Sequence, residues 1–391
     1  MAEKNNIPHP HQDLDMSEES KKRIKKKIFS IPLNPYITKE DAENVFIPFL
    51  KKYKDYIFDV YFTVRIPPFL QDAMGATFTE DALVQMFKNA IAIQNETGII
   101  VSATFNNINV PATYENLQIF KSNLKYLYDA GLRSMTIPHT HWMLTGELQK
   151  EFPEMYIKNT VLRNVNTPQQ FWNAAEAGFD YINIDRKLLR DEEMLKRIKE
   201  AQTKFHKEKG KYIPIAILAN EGCRGNCPVM GEHYGINNSS GSGIPGTDKP
   251  YFYQEISKVS CPKWRLEDEA YSLKIANIPP YRKDVEDILK YVDVLKMHGR
   301  EGFGLMNDTI QFVESYVNDE EELHDISVRH LIEDLEVDEK KLAMWRKHIK
   351  NCQFECWNCH LCDELVQSAK NKKNKKDKEI GKSIDDLLDD L

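Results

Sequence analysis

From about residue 31 to residue 320 the chain repeats one alternation: a short run rich in β-branched and aromatic residues, then a longer stretch with helical apolar spacing. Strands that are each followed by a helix before the next strand begins produce a parallel sheet covered by helices. The runs Tyr56–Val64, Gly98–Phe105, Ser134–Ile137, Tyr156–Leu162, Tyr181–Asp185, Ile213–Ala219, Tyr271–Ala276 and Val292–Met297 predict eight strands. Helix starts fall between them: Thr167 before Pro168 is an N-cap followed by proline at the first helical position, and Asp191, Glu192 and Glu193 make an acidic first turn. Eight strands in this rhythm predict an α/β fold of (β/α)8 TIM type, with a doubly wound open sheet as the alternative. At 391 residues and 41% hydrophobic composition, the chain buries enough core for one barrel with appendages, and equally for two domains.

The barrel reading divides the chain into four parts. Residues 1–30 mix proline and histidine with a basic run from Lys21 to Lys27 and are expected to be a mobile basic arm. Residues 31–320 form the barrel, and 321–366 a C-terminal helical segment with four cysteines. Residues 367–391 are Lys/Asn-rich and then acidic, too polar to bury a core, and are expected to be a disordered charged tail. A net charge of −7 disfavours a whole-surface nucleic-acid binder, so any RNA contact is expected to be local. With no apolar leader and no apolar run of membrane-spanning length, the expected location is cytoplasmic, without membrane insertion.

All seven cysteines fall into two groups. Cys223, Cys227 and Cys261 lie in the long loop after the sixth predicted strand, while Cys352, Cys356, Cys359 and Cys362 follow one another at gaps of three, two and two residues. Thiols used for packing would be scattered through apolar segments, so this grouping marks all seven as soft-metal ligands. Gly225 lets the backbone between Cys223 and Cys227 turn so that both sulfurs face one metal. Zinc sites join two separated thiolate pairs through a longer loop, whereas consecutive short gaps resemble a ferredoxin run. Iron–sulfur, as one or two [4Fe–4S] clusters, is therefore the expected cofactor, and zinc the alternative. If one C-terminal thiolate completes the first set, the other three are left for a second cluster. Cys352, Cys356 and Cys359 also match the spacing of radical S-adenosylmethionine enzymes, but their place after the last strand disfavours that reading.

Barrel active sites sit at the carboxyl ends of the strands. Polar residues gather there: Arg65, Asn106, His139, His141, Arg163, Asn164, Asp185, Arg186, Asn220, Glu221 and His298. Lys296, His298 and Arg300 surround Gly299 at the end of the last strand and suit an anionic substrate; alternatively, the two outer cations pair with structural carboxylates. His139 and His141 are candidates for metal ligation or proton transfer. There is no G-x-S-x-G elbow, H-E-x-x-H pair or Walker loop.

Three pieces, taken in order, carry a resemblance: Asn166 to Leu189, the strand leading into Cys223 and Cys227, and Leu295 to Arg300. Over roughly residues 130 to 300 the chain resembles the collagenase-like peptidase family of U-thirty-two type. The resemblance implies a barrel with a [4Fe–4S] cluster on Cys223, Cys227 and Cys261, and oxygen-independent hydroxylation of RNA or of an aromatic quinone precursor rather than proteolysis. Lys296, Gly299 and Arg300 match the family's Lys-x-x-Gly-Arg strand end. His298 replaces the family's acidic residue, and the C-terminal cysteine run is not part of the family pattern. The expected function is thus iron–sulfur-dependent hydroxylation or related redox modification of RNA or a small aromatic substrate, with a sister subunit as a further candidate partner. The competing reading is a zinc-stapled, non-catalytic scaffold that binds RNA or a partner.

Overall fold

A computed structural model describes residues 27–71, 79–261, 267–299, 303–326 and 337–369. Arg300, most of the expected arm and most of the expected charged tail lie outside them. Eight strands run parallel: β1 (Phe29–Pro32), β2 (Ile57–Thr63), β3 (Val101–Thr104), β4 (Ser134–Ile137), β5 (Tyr156–Asn159), β6 (Ile182–Ile184), β7 (Ile215–Leu218) and β10 (Val294–Lys296). Their order is β5-β4-β3-β2-β1-β10-β7-β6, and a parallel bridge between Lys158 and Tyr181 brings the two end strands together. The nearly closed sheet with its flanking helices is the (β/α)8 TIM-type barrel that the alternation predicts.

Successive side chains of a strand point to opposite faces. One set, including Ile31, Val60, Phe62, Val101, Met135, Ile157, Ile182, Ile217 and Leu295, joins the core packed under the helices. The other set fills the barrel. Phe58, Tyr156, Tyr181, Ala216 and Val294 form a separate apolar cluster drawn from strands around the ring; Phe58 joins it, despite sharing the parity of Val60 and Phe62, because it is the extra residue where β2 shifts register between Ile57 and Asp59. A buried ion pair joins Asp59 of β2 to Lys158 of β5, two strands that are not neighbours, so it crosses the interior. Ser30 Oγ donates to the same carboxylate at 2.5 Å, which leaves the charge well satisfied. Helix starts follow the sequence signals: Thr167 Oγ1 accepts from the Gln170 N–H at the head of the helix Pro168–Glu176, and Asp191 caps Glu192–Lys209.

Two strand assignments need correction. β1 was hidden because four residues, Phe29–Pro32, directly follow the lysine-rich run; all four are buried between β2 and β10. The run Tyr271–Ala276 is not a barrel strand. Tyr271–Lys274 is a 3-10 turn, and β9 (Ile275–Asn277) pairs antiparallel with β8 (Asn220–Arg224) outside the barrel. Leu273 of that turn is buried for another reason: with the preceding Ala270 it packs on Trp345, Ile349, Leu365 and Val366 of the C-terminal segment. The cysteine-bearing insertion therefore follows β7, the sixth strand expected from sequence and the seventh of the barrel. Among the described residues, no helix is long and apolar enough to cross a membrane.

Candidate functional site

At the carboxyl end of β6 the chain turns sharply because Asp185 Oδ1 accepts the Lys187 N–H at 3.0 Å. That turn buries Arg186, which is 2% exposed. Its guanidinium ion-pairs with Glu221 of β8, and Nη1 donates to Tyr234 Oη at 3.1 Å. Tyr234 in turn donates to Glu221 Oε1 at 2.8 Å, closing a three-member network. Tyr234 lies on the helix Met230–Ser239. Asn107 and Asn109, beyond β3, hold that helix by donating to Asn238 O and Gly235 O, each at 2.9 Å.

These elements enclose a cleft of about 350 Å³. Asn164, Asp185, Arg186 and Lys187 come from the strand ends; Arg224, Gly225, Asn226, Cys227 and Tyr234 come from the insertion. Burial pushes the Cys227 thiol up, and nearby Cys261 adds to the effect. The Cys261 thiol reaches Tyr251 Oη at 3.8 Å, and the Tyr251 ring stacks on His233 at 4.4 Å.

The second cysteine group packs against the back of the same turn. A Cβ at Gly225 would overlap the Phe354 ring, so glycine is required there by close approach. Asn226 Nδ2 donates to Gln353 O at 3.3 Å, and the Gln353 N–H reaches Arg190 O at 3.0 Å. The segment between Cys352 and Cys356 thus rests on the segment between Cys223 and Cys227. Cys362 accepts from Trp345 Nε1 at 3.2 Å, and burial pushes its thiol up to about 11. Cys359 Sγ lies 3.3 Å from His348 Nε2, a donor that spacing analysis of the cysteines alone does not reveal.

None of the seven cysteines forms a disulfide, and all are half-buried. Among the described residues, no group of three or more His, Cys, Asp or Glu side chains is arranged to hold a metal ion. In chemistry the two thiol groups still fit a soft metal: thiols with an adjacent imidazole are the donors zinc and iron–sulfur clusters take. Cys223, Cys227 and Cys261 on one side, and Cys352, Cys356, Cys359 and Cys362 on the other, are the residues that would hold it.

The other expected site residues lie apart from the cleft wall. Lys296 Nζ sits 4.2 Å from the centroid of the Tyr61 ring, a cation–π contact. Asn220 fixes the backbone of His298, accepting its N–H at 2.6 Å and donating to its carbonyl at 3.0 Å. His139 is 1% exposed, stacked on Phe69 at 5.6 Å and edge-on to Trp142 at 4.3 Å. Burial, with smaller effects from Arg163 and His141, lowers its pKa to about 4. None of the three lines the cleft. Arg186 takes the central place instead; the sequence signal was its position directly after a strand with Asp185.

Neither a protein-family model nor a curated protein sequence matches this chain. Among solved structures, the chain is similar to the U32 peptidase Mk0906, over 69% of this chain and 92% of that one, with a TM-score of 0.42 and 11% identity.

Proposed function

We propose that this barrel is an iron–sulfur protein of U-thirty-two type that carries out hydroxylation or a related redox modification of RNA or a small aromatic substrate. One observation carries the reading: the Cys223–Cys227 turn is at once a wall of the cleft and the surface on which the Cys352–Cys356 segment rests. Soft-metal donors and a substrate-sized cavity therefore adjoin at the end of the barrel where barrel enzymes work. A cluster bound there would supply electron transfer or an open iron for an oxygen donor. The chain's own residues would bind and orient: Arg186, Lys187 and Arg224 in the cleft wall. Lys296 and His298, which stand apart from that wall, are proposed to act only on a part of the substrate that extends toward the end of β10, and Arg300, outside the described residues, is proposed with them from its place in the sequence. His139 is neutral at pH 7 and hydrophobically packed, which suits a structural or a proton-accepting role but not a cationic one.

Anaerobic purification followed by metal and acid-labile sulfide analysis tests the proposal. Iron and sulfide in near-equal amounts are expected. Stoichiometric zinc without sulfide would refute it and favour the second reading, a zinc-stapled scaffold, for which the compact thiol group with His348 beside Cys359 is the supporting observation.

A further inference from the structure

The Arg186 guanidinium uses only part of its donor set. Nη1 is taken by Tyr234, and the charge is matched by Glu221, whereas Nε and Nη2 are buried with no hydrogen-bond partner among the described residues. Nε and Nη2 form one edge of the planar fork, the edge that grips a carboxylate or phosphate through two parallel N–H···O bonds. A buried donor without a partner is destabilising, so this edge suits a ligand that accepts two hydrogen bonds. Arg186 lines the cleft of about 350 Å³, within the range of small-molecule sites. Lys187 and Arg224 add two half-buried cations to the wall against one carboxylate, Asp185, whose Oδ1 already accepts a backbone N–H. Ile108, Leu162 and Met230 supply an apolar side.

We propose that Arg186 holds the oxyanion head group of a small organic molecule, a carboxylate or a phosphate ester, side-on in this cleft, with the molecule's apolar body against Ile108, Leu162 and Met230. Glu221 and Tyr234 act behind it as positioning residues: they fix the plane of the guanidinium before the ligand arrives. The proposal concerns the cleft of the proposed function but requires no metal, so ligand binding can succeed in a protein without iron and fail in one that contains it.

The test uses three probes with the same ring and different heads: benzoate, phenyl phosphate and uncharged benzamide. Binding to the full chain is followed by ligand-observed NMR. Saturable binding of benzoate or of phenyl phosphate, but not of benzamide, is expected, and the tighter of the two anions identifies the head group. Arg186→Lys keeps a cation beside Glu221 and removes the fork, so affinity should fall about tenfold or more, the loss of one charge-assisted hydrogen bond. Should that variant fail to fold, Arg224→Gln combined with Lys187→Gln on the half-buried wall serves instead. Affinity should then fall several-fold, with a weaker dependence on salt. Absence of binding by both anions, equal binding of benzamide, or unchanged affinity in a folded variant would overturn the proposal.

Discussion

His139 has two ring nitrogens buried without a hydrogen-bond partner among the described residues, and its ring is enclosed by Phe69 and Trp142. Protonation inside that aromatic wall is opposed by desolvation, which brings its pKa from the ordinary 6.5 to about 4. The unfolded chain then binds more protons than the folded one between about pH 6.5 and 4, so stability falls as pH drops through that window and is unaffected by this group above it. His139→Phe keeps the ring packing and removes the titration. Its melting temperature should decline less steeply than the wild type's between pH 7 and 4, and parallel curves would show that His139 does not contribute. In the sequence this histidine looked like a ligand because it follows a strand and stands two residues from His141. What the sequence does not show is the approach of Phe69, from the segment after β2, to a ring already flanked by Trp142 three residues further along the chain. Arg186 is the opposite case: an arginine after a strand looks ordinary until the structure shows which of its donors are taken.

At the level of elements, the C-terminal segment is docked rather than appended. The helix Glu339–His348 buries Trp345, 1% exposed, against Leu273 and Ala270. Arg346 Nε reaches Asp284 Oδ2 at 2.5 Å with its guanidinium 3.9 Å over the Tyr281 ring, and Lys350 pairs with Asp287. Trp345→Ala removes the centre of this small core and the donor to Cys362, and should cost about 3–5 kcal/mol of docking stability. Hydrogen exchange read across 339–369 and across β2 or β3 checks this: faster exchange confined to the segment is expected, and uniform loss of protection would mean that the segment and barrel unfold as one. The alternation of strands and helices was legible because the barrel repeats it. The predicted count of eight agrees with the barrel because Tyr271–Ala276, whose Leu273 is buried by this docking, is counted, while β1, too short to stand out beside the lysine run, is not. Local pattern reports that a residue is buried, and only the tertiary structure says against what.

For the whole molecule, the two cysteine groups, separate in sequence, share one contact surface. Asn226 and Gln353 are hydrogen-bonded across 127 positions, and Gly225 is covered by Phe354. No spacing rule reveals that meeting, although the segregation of the thiols into two groups is plain in the sequence. Thiolate–metal bonds are only about 2.3 Å long, so a shared ligand requires the two loops to lie side by side, as they do here. With iron bound, Cys227→Ser and Cys356→Ser should therefore perturb the same absorption and electron-paramagnetic signals to a similar degree. Gly225→Val supplies the decisive arm, because it alters no thiol: its side chain must displace the Phe354 ring, separating the loops, and it should weaken the signal and the iron content together. If Cys227→Ser removes one set of signals, Cys356→Ser another, and Gly225→Val leaves both intact, the two groups hold separate centres and the contact between them is packing alone.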